Sequence, residues 1–338
     1  MNFIIHHTGK AGEAFSGLAM ARLLKTHHPG CKVTWVILDL YREALGNCPY
    51  IDKIETIPTY SCKSMADVGS HISKHKYYVF MFKRSVEDKY GLHIDAYYNY
   101  IVFRKGDTNT FRLARDPFYI QFFRNAVEFC PGADEVNSWT VPEWYPTDRA
   151  VEEGETFEKE YGGGPVIIVS PYVADKMCPK DNMTNYDLDF VLNEVKKWNL
   201  PIICTGTQWD EKEFPEWAID GYAPKLGLGG LFYVIKSRAA LVVTPNSGIG
   251  FAAHWLGAPT LMIDSRTGWK EQVELWKQKV PHLEDEAGPD EFRWPPFMKE
   301  NFYPQHLLPR PFEQIEWSTE GFLEAVEKIK PTRMQKLR

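Results

Sequence analysis

The sequence lacks several features that would place a protein in a class at once. No apolar stretch approaches the roughly 18 residues that a membrane-spanning helix needs, and residues 1–8 do not have the pattern of a secretory signal. The 6 cysteines form no CxxC pair and no zinc-type spacing with histidine. Such cysteines are typical of reduced thiols, so we expect a cytoplasmic protein with no metal site built on them.

An excess of positive charge is also missing. Lysine and arginine total 39, against 45 aspartate and glutamate residues, which gives a net charge of −6. This balance does not favour a DNA partner, although Lys74, His75, Lys76, Lys83 and Arg84 could form a local basic patch. The chain has neither a GxGxxG nor a GxxxxGK[ST] motif, which disfavours dinucleotide oxidoreductases and P-loop NTPases.

The chain does contain an alternation of short apolar strands and amphipathic helices, which is typical of parallel βαβ units. Strands are predicted at residues 2–7, 32–38, 53–57 and 77–82, and again at 165–170, 200–205, 239–244 and 259–264. Helices are predicted between them and at 318–329, whereas residues 268–312 are expected to be irregular. The pattern therefore predicts an α/β protein with two doubly wound, Rossmann-like domains, residues 1–145 and 146–315, that face each other across a cleft.

Ligands of such sheets bind at the carboxyl ends of the strands, and the first loop at such an end is glycine-containing. It holds Lys10 and Gly12, and Glu13 then stands at the start of a helix. Glu13 could be a general base, or it could simply be an acid stabilised by the helix dipole.

Two loops of the second half offer groups for a phosphorylated ligand. Lys176, six residues beyond a strand, could reach a phosphate as a point charge or could be a solvated surface lysine. Gly206 is followed by Asp210 and Glu211. These acids could hold ribose hydroxyls, or they could belong to the first turn of a helix.

The strongest local signal is the run Asn246, Ser247 and Gly248 after a buried strand. Small residues here open a helix whose free N–H groups can bind an anion, although Asn246 or Ser247 could also be only an N-cap. A formal DxD motif, Asp187-Leu188-Asp189, falls inside a predicted helix, and we interpret it as part of that helix.

Together these loops resemble those of the lipopolysaccharide heptosyltransferases, glycosyltransferase family 9. The family's motifs recur here in order as Gly12-Glu13, residues 47–52, residues 176–179, Gly206 with Asp210-Glu211, Asn246-Ser247-Gly248 and residues 256–260. The resemblance covers most of the chain, most clearly residues 1–58, 165–264 and 318–329. It implies the GT-B fold, with the closing helix 318–330 packed back on the N-terminal domain.

The resemblance also implies a reaction, which is the inverting, metal-independent transfer of a sugar from a nucleotide-diphosphate donor without a cofactor. The acceptor would be a glycan, a glycolipid or another hydroxyl compound, bound by the N-terminal domain and its aromatic segment 90–123. Glu13 would be the base, with Gly12 and Lys10 on the acceptor side. The donor phosphates would contact Lys176, Asn246, Ser247 and Gly248, and the donor ribose and base would contact Gly206, Asp210 and Glu211.

Three residues depart from the family pattern. Glu13 and Asn246 each stand where the family has aspartate, and Phe251 stands where it has a histidine. Three other functions also remain open, the last of which is made plausible by Asn246 and Phe251. They are a viral-type transferase acting on DNA bases, a nucleotide-sugar epimerase, and a sugar-nucleotide-binding protein that has lost catalysis.

Overall fold

The computed structural model describes residues 2–6, 11–59, 92–95, 142–171, 183, 185–206, 214–221, 226–245, 247–264 and 312–329. The chain divides into two compact units, Met1–Tyr145 and Pro146–Arg338. Each unit contains a parallel β-sheet, so the predicted α/β class is confirmed. Over the described ranges, no helix is long and apolar enough to cross a membrane.

Four parallel strands form the sheet of the first unit, in the order β3-β2-β1-β4. They are β1 (Asn2–His6), β2 (Lys32–Leu38), β3 (Lys53–Ile57) and β4 (Leu92–Asp95). Helices α1 (Ala11–Ser16) and α2 (Leu18–His27) connect β1 to β2, and a 3₁₀ helix, Asp39–Ala44, follows β2 directly. The strand predicted at 77–82 and the aromatic segment 90–123, apart from β4, lie outside the described residues.

The position of α1 in the first unit depends on one bulky core residue. Trp35, at the centre of β2, is completely buried. Gly17, between α1 and α2, makes room for it, because a Cβ atom at Gly17 would lie 3.0 Å from Cη2 of the Trp35 ring. Phe15 and Leu18, on either side of Gly17, are buried as well. This packing fixes α1, and with it Gly12 and the backbone of Glu13, over the sheet.

The second unit has a six-stranded parallel sheet in the order β10-β9-β8-β5-β6-β7. Its strands are β5 (Val166–Val169), β6 (Ile202–Cys204), β7 (Ile219–Asp220), β8 (Ala239–Pro245), β9 (Thr260–Asp264) and β10 (Phe312–Glu316). Its helices are α3 (Asp148–Tyr161), α4 (Asn185–Lys196), α5 (Leu228–Arg238), α6 (Gly248–Trp255) and α7 (Thr319–Ile329). β5 and β8 are buried along their whole length, as expected for parallel strands covered on both faces.

The closing helix α7 packs on the second unit, which corrects the expectation that it packs back on the first domain. Its buried residues Phe322, Ala325, Val326 and Ile329 share one apolar core with side chains of β5, β8 and α4. The reason is the short connection from β10, which pairs with β9 in the same sheet. Only Trp317 and Ser318 separate this strand from α7, so the helix has to stay beside its own sheet.

Gly46 offers a stability test in the first unit. It has a φ of +56°, and a Cβ atom there would lie 2.1 Å from the Tyr145 carbonyl oxygen. We expect Gly46→Ala to lower the free energy of unfolding by about 2–5 kcal/mol, because left-handed strain of about 1–2 kcal/mol adds to overpacking of about 1–3 kcal/mol. Urea denaturation of the variant and the wild type measures this loss.

The matched control for Gly46→Ala is Gly30→Ala. Gly30 also has a positive φ, +81°, but no atom of the described residues lies within 4 Å of a Cβ placed there. The free energy of unfolding of Gly30→Ala should therefore fall only by the cost of left-handed strain, about 1–2 kcal/mol. Equal losses in the two variants would show that the Tyr145 carbonyl moves aside at no cost, contrary to this prediction.

Candidate functional site

The strand order of the second sheet reverses between β5 and β8. The chain runs from β5 through β6 to β7 on one side, and then returns to build β8, β9 and β10 on the other. Ligands of open α/β sheets bind outside the carboxyl ends of the strands at such a reversal. A ligand-binding site of this sheet is therefore expected at the residues that follow β5 and β8.

Ser247 and Gly248 begin α6 directly after β8. Ser247 is the N-cap of this helix, with extended backbone, and its Oγ accepts a hydrogen bond from the Gly250 N–H at 3.5 Å. Its Oγ also lies 2.7 Å from Oγ1 of Thr244, which is the next-to-last residue of β8. The sequence left open whether Asn246 or Ser247 is the N-cap, and in the structure Ser247 has this role. The other N–H groups of the first turn have no partner within the helix and can face an anion.

The start of α6 lies close against the sheet because Gly250 has no side chain. A Cβ atom at Gly250 would lie 2.6 Å from Cε of Met262 and 2.9 Å from Cγ2 of Thr244. Met262 and Thr244 are paired in register on β9 and β8. The close approach holds the positive end of the helix dipole over the end of β8.

Three hydroxyl residues form one row across the carboxyl ends of β8, β5 and β6. Val169, the last residue of β5, pairs with Val243 and with Cys204. The ladder continues one step further, since the Ser170 N–H donates to the Val243 carbonyl and the Thr205 N–H donates to the Val169 carbonyl, both at 2.9 Å. The row is Thr244, Ser170 and Thr205, and these residues are 0%, 2% and 2% exposed.

The remaining predicted site residues are described only in part. Gly206 directly follows Thr205 and is half-buried. Gly12 is buried in α1, and Glu13 is the third residue of that helix, which fits both the base and the dipole interpretation. Five predicted residues lie outside the described part of the chain, so their roles stay predictions: Lys10, Lys176, Asp210, Glu211 and Asn246.

The first sheet has a similar reversal, between β1 and β4. The last residues of these two strands, His6 and Asp95, are register partners, and α1 with Glu13 follows β1. Sequence reasoning did not single out Asp95, because no strand was predicted at residues 92–95. The alternation of Leu92, His93, Ile94 and Asp95 is the pattern that indicates this strand.

The stretch 47–52, part of the family resemblance, forms a structural corner. The Asp52 carboxylate accepts hydrogen bonds from Nζ of Lys25 at 2.6 Å and from the Val33 N–H at 2.7 Å. Burial acts to raise the pKa of Asp52, but these hydrogen bonds outweigh it and lower the pKa to about 2. The two hydrogen bonds of Asp52 therefore tie the start of β2 to α2. In the same stretch, burial raises the pKa of the Cys48 thiol to about 11.

The DxD motif is part of a helix, as interpreted from the sequence. Asp187 and Asp189 both belong to α4. Asp187 is buried, whereas Asp189 is exposed, so the two carboxylates lie in different surroundings. In the part of the chain that the structure covers, no group of three or more histidine, cysteine, aspartate or glutamate side chains could hold a metal ion.

Comparison with known proteins identifies the fold. No family model matches the chain, and no curated protein sequence matches it. A solved family 9 glycosyl transferase from Veillonella parvula matches with a TM-score of 0.61 and 11% identity, over 97% of this chain and 96% of the other. E. coli ADP-heptose LPS heptosyltransferase II matches with a TM-score of 0.59 and 12% identity, over 97% and 98% of the two chains. The chain therefore shares the GT-B fold of these two proteins, which confirms the resemblance at the level of fold.

Proposed function

We propose that this protein is an inverting glycosyltransferase that moves a sugar from a nucleotide-diphosphate donor to an acceptor hydroxyl. The observation that carries the proposal is the strand reversal of the second sheet, where the Thr244 hydroxyl lies 2.7 Å from the hydroxyl of Ser247, the N-cap of α6, and buried Ser170 follows the neighbouring strand β5. A helix N-terminus beside hydroxyl groups suits a diphosphate. The fold shared with two glycosyltransferases supports this assignment.

The second unit binds the donor in this proposal. Lys176 and the N–H groups around Ser247 and Gly248 stabilise the departing diphosphate, with Asn246 beside them. Gly206, Asp210 and Glu211 hold the ribose and the base. A lysine and a helix dipole together supply positive charge at the leaving group, so this proposal requires no metal ion.

The first unit supplies the base and the acceptor side. Glu13 takes the proton of the acceptor hydroxyl while the acceptor oxygen attacks the anomeric carbon. The bond from that carbon to the phosphate oxygen breaks, and the nucleoside diphosphate leaves with the electron pair. Lys10 and Gly12 contact the acceptor, which is a glycan, a glycolipid or another hydroxyl compound.

Nucleotide binding with a variant of Gly248 tests the donor site. A panel of ADP, UDP, GDP, CDP and dTDP is titrated calorimetrically into the wild type and into Gly248→Val. We expect one diphosphate to bind the wild type, and its affinity to fall about 10- to 100-fold in the variant, because the branched side chain blocks approach to the backbone N–H groups. At 100 times its Kd, the ligand should stabilise the wild type by about 2.7 kcal/mol.

Gly163→Val is the matched control for this experiment. Within the part of the chain that the structure describes, no atom lies within 4 Å of a Cβ placed at Gly163, and we expect this variant to bind as the wild type does. Unchanged affinity in Gly248→Val would remove this loop from the donor site. Incubation of the wild type with the sugar nucleotide alone separates a transferase from an epimerase, since only an epimerase converts the sugar without an acceptor.

A further inference from the structure

A run of positive charge begins in the last turn of α7. This basic segment, residues 328–338, contains no aspartate or glutamate and five basic residues, which are Lys328, Lys330, Arg333, Lys336 and Arg338. Of the 39 basic residues of the chain, 34 therefore remain for residues 1–327, against all 45 acidic residues, which gives that part a net charge of −11. The basic segment is thus opposite in charge to the rest of the chain.

Helix α7 fixes the start of the basic segment on the second unit. Ile329, the last residue of α7, is 1% exposed and belongs to the core of that unit, whereas Lys328 beside it is exposed. The earlier acids of the helix, Glu324 and Glu327, are exposed as well. Residues 330–338 lie outside the described residues, and their charge follows from the sequence alone.

Two ordinary roles of surface charge do not account for the basic segment. A helix dipole favours cations only within the last turn or so of the helix, which explains Lys328 and Lys330 but not the three basic residues that follow. A net charge far from zero favours solubility, but the five positive charges bring this chain from −11 towards zero, to −6. The segment is therefore better explained by a negatively charged partner.

We propose that the basic segment binds the surface of a membrane that contains anionic lipids. Each lysine or arginine close to such a surface raises the affinity about five-fold. Met334 and Leu337 stand among the basic residues. Apolar residues beside lysine and arginine favour a membrane surface over a nucleic acid, because the lipid offers an apolar layer in which they can be buried. Membrane attachment of this kind goes beyond the proposed function and does not depend on it.

Sedimentation with vesicles tests the attachment. The full-length wild type is mixed with vesicles of phosphatidylcholine and with vesicles in which about one third of the lipid is phosphatidylglycerol. We expect binding only to the second kind, and only at low salt, because about 1 M salt shortens the Debye length to about 3 Å. Affinity should fall about 100- to 600-fold in a variant of the segment that combines Lys330→Gln, Arg333→Gln, Lys336→Gln and Arg338→Gln.

The matched control removes four positive charges elsewhere. It combines substitutions of four lysines that are exposed in the structure: Lys32→Gln, Lys53→Gln, Lys159→Gln and Lys197→Gln. Both variants carry a net charge of −10, four below the −6 of the wild type, and only the control should bind the anionic vesicles as the wild type does. Both should melt and bind nucleotides as the wild type does.

Three results overturn the inference. They are wild-type binding that does not depend on phosphatidylglycerol, an equal loss in the two variants, and no vesicle binding at all. Duplex DNA is titrated in parallel at low and high salt. Wild-type binding to DNA that the segment variant loses, without binding to vesicles, also overturns the inference and assigns the segment to a nucleic acid. None of these results contradicts the proposed function, which nucleotide titration tests separately.

Discussion

Replacing Glu13 by glutamine is expected to reduce turnover by about 10²- to 10⁴-fold, the usual contribution of a general base. Glutamine keeps the size of the side chain and removes its ability to accept a proton. The affinity for the nucleotide donor should change little, because the donor groups of the proposal lie in the second unit. Release of nucleoside diphosphate in the presence of acceptor measures turnover, and calorimetric titration measures affinity.

The alternative role of Glu13, as an acid at the N-terminus of α1, predicts a different result. Loss of a favourable interaction with the helix dipole costs about 0.3–1 kcal/mol in stability and leaves turnover near normal. Glu320→Gln is the matched control, because Glu320 is an exposed acid in the first turn of α7. A lowered melting temperature with near-normal turnover in Glu13→Gln, as in Glu320→Gln, would contradict the base assignment.

The variant Glu13→Asp tests whether the length of the side chain that carries the carboxylate matters. Aspartate is the residue at this position in the family that the sequence resembles, and the substitution retains the chemistry of the carboxylate. The shorter side chain can misplace the carboxylate by about 1 Å, which can cost on the order of 10²-fold in rate. We expect turnover between those of the wild type and Glu13→Gln. Turnover below that of Glu13→Gln would contradict a role in which the carboxylate itself accepts the proton.

The strands of the second sheet show what a sequence can and cannot predict. The apolar run of β5, Val166–Val169, was predicted because parallel strands covered on both faces need continuous apolar residues. β10, Phe312–Glu316, was not predicted, since polar residues alternate with apolar ones only weakly there. It is an edge strand that forms by pairing with β9, and pairing partners cannot be read from a local pattern.

The closing helix α7 also shows which features a local sequence pattern predicts and which it does not. Its periodicity correctly indicated the buried face, Phe322, Ala325, Val326 and Ile329. Periodicity identifies an apolar face but does not say which sheet covers it. The covering sheet was assigned by resemblance to a family, and the structure assigns it to the second unit because β10 and α7 are joined by two residues.

The sequence indicated the loops of the candidate site, but it did not indicate that three hydroxyl residues align in one row there. Small polar residues after a buried strand indicated Ser247 and Gly248. The alignment of Thr244, Ser170 and Thr205 depends on the register between three strands that lie far apart in sequence. A serine or threonine at the end of a strand is common in proteins, so Ser170 carried no signal of its own until its neighbours were known.

His254 is buried at the other end of α6. The residue is completely inaccessible to solvent, and its ring packs edge-on against Trp255 with 5.6 Å between the ring centroids. Burial lowers the pKa of His254 to about 3, because the charged imidazolium would lose its hydration. The histidine is therefore neutral in the folded protein at pH values at which it is protonated in the unfolded chain.

This difference predicts that acid destabilises the second unit through His254. The folded pKa of about 3 lies below the unfolded value of roughly 6.5, so the unfolded chain binds the additional proton. Stability is complete above pH 6.5 and falls by about 1.4 kcal/mol per pH unit as the pH drops towards 3.

Replacing His254 by phenylalanine or by glutamine removes the titrating group. Both variants should lose less stability than the wild type between pH 6.5 and 4, by about 3 kcal/mol, whatever their stability at neutral pH. Urea denaturation at several pH values gives the slopes, and a slope in both variants equal to that of the wild type would show that His254 does not control the acid sensitivity.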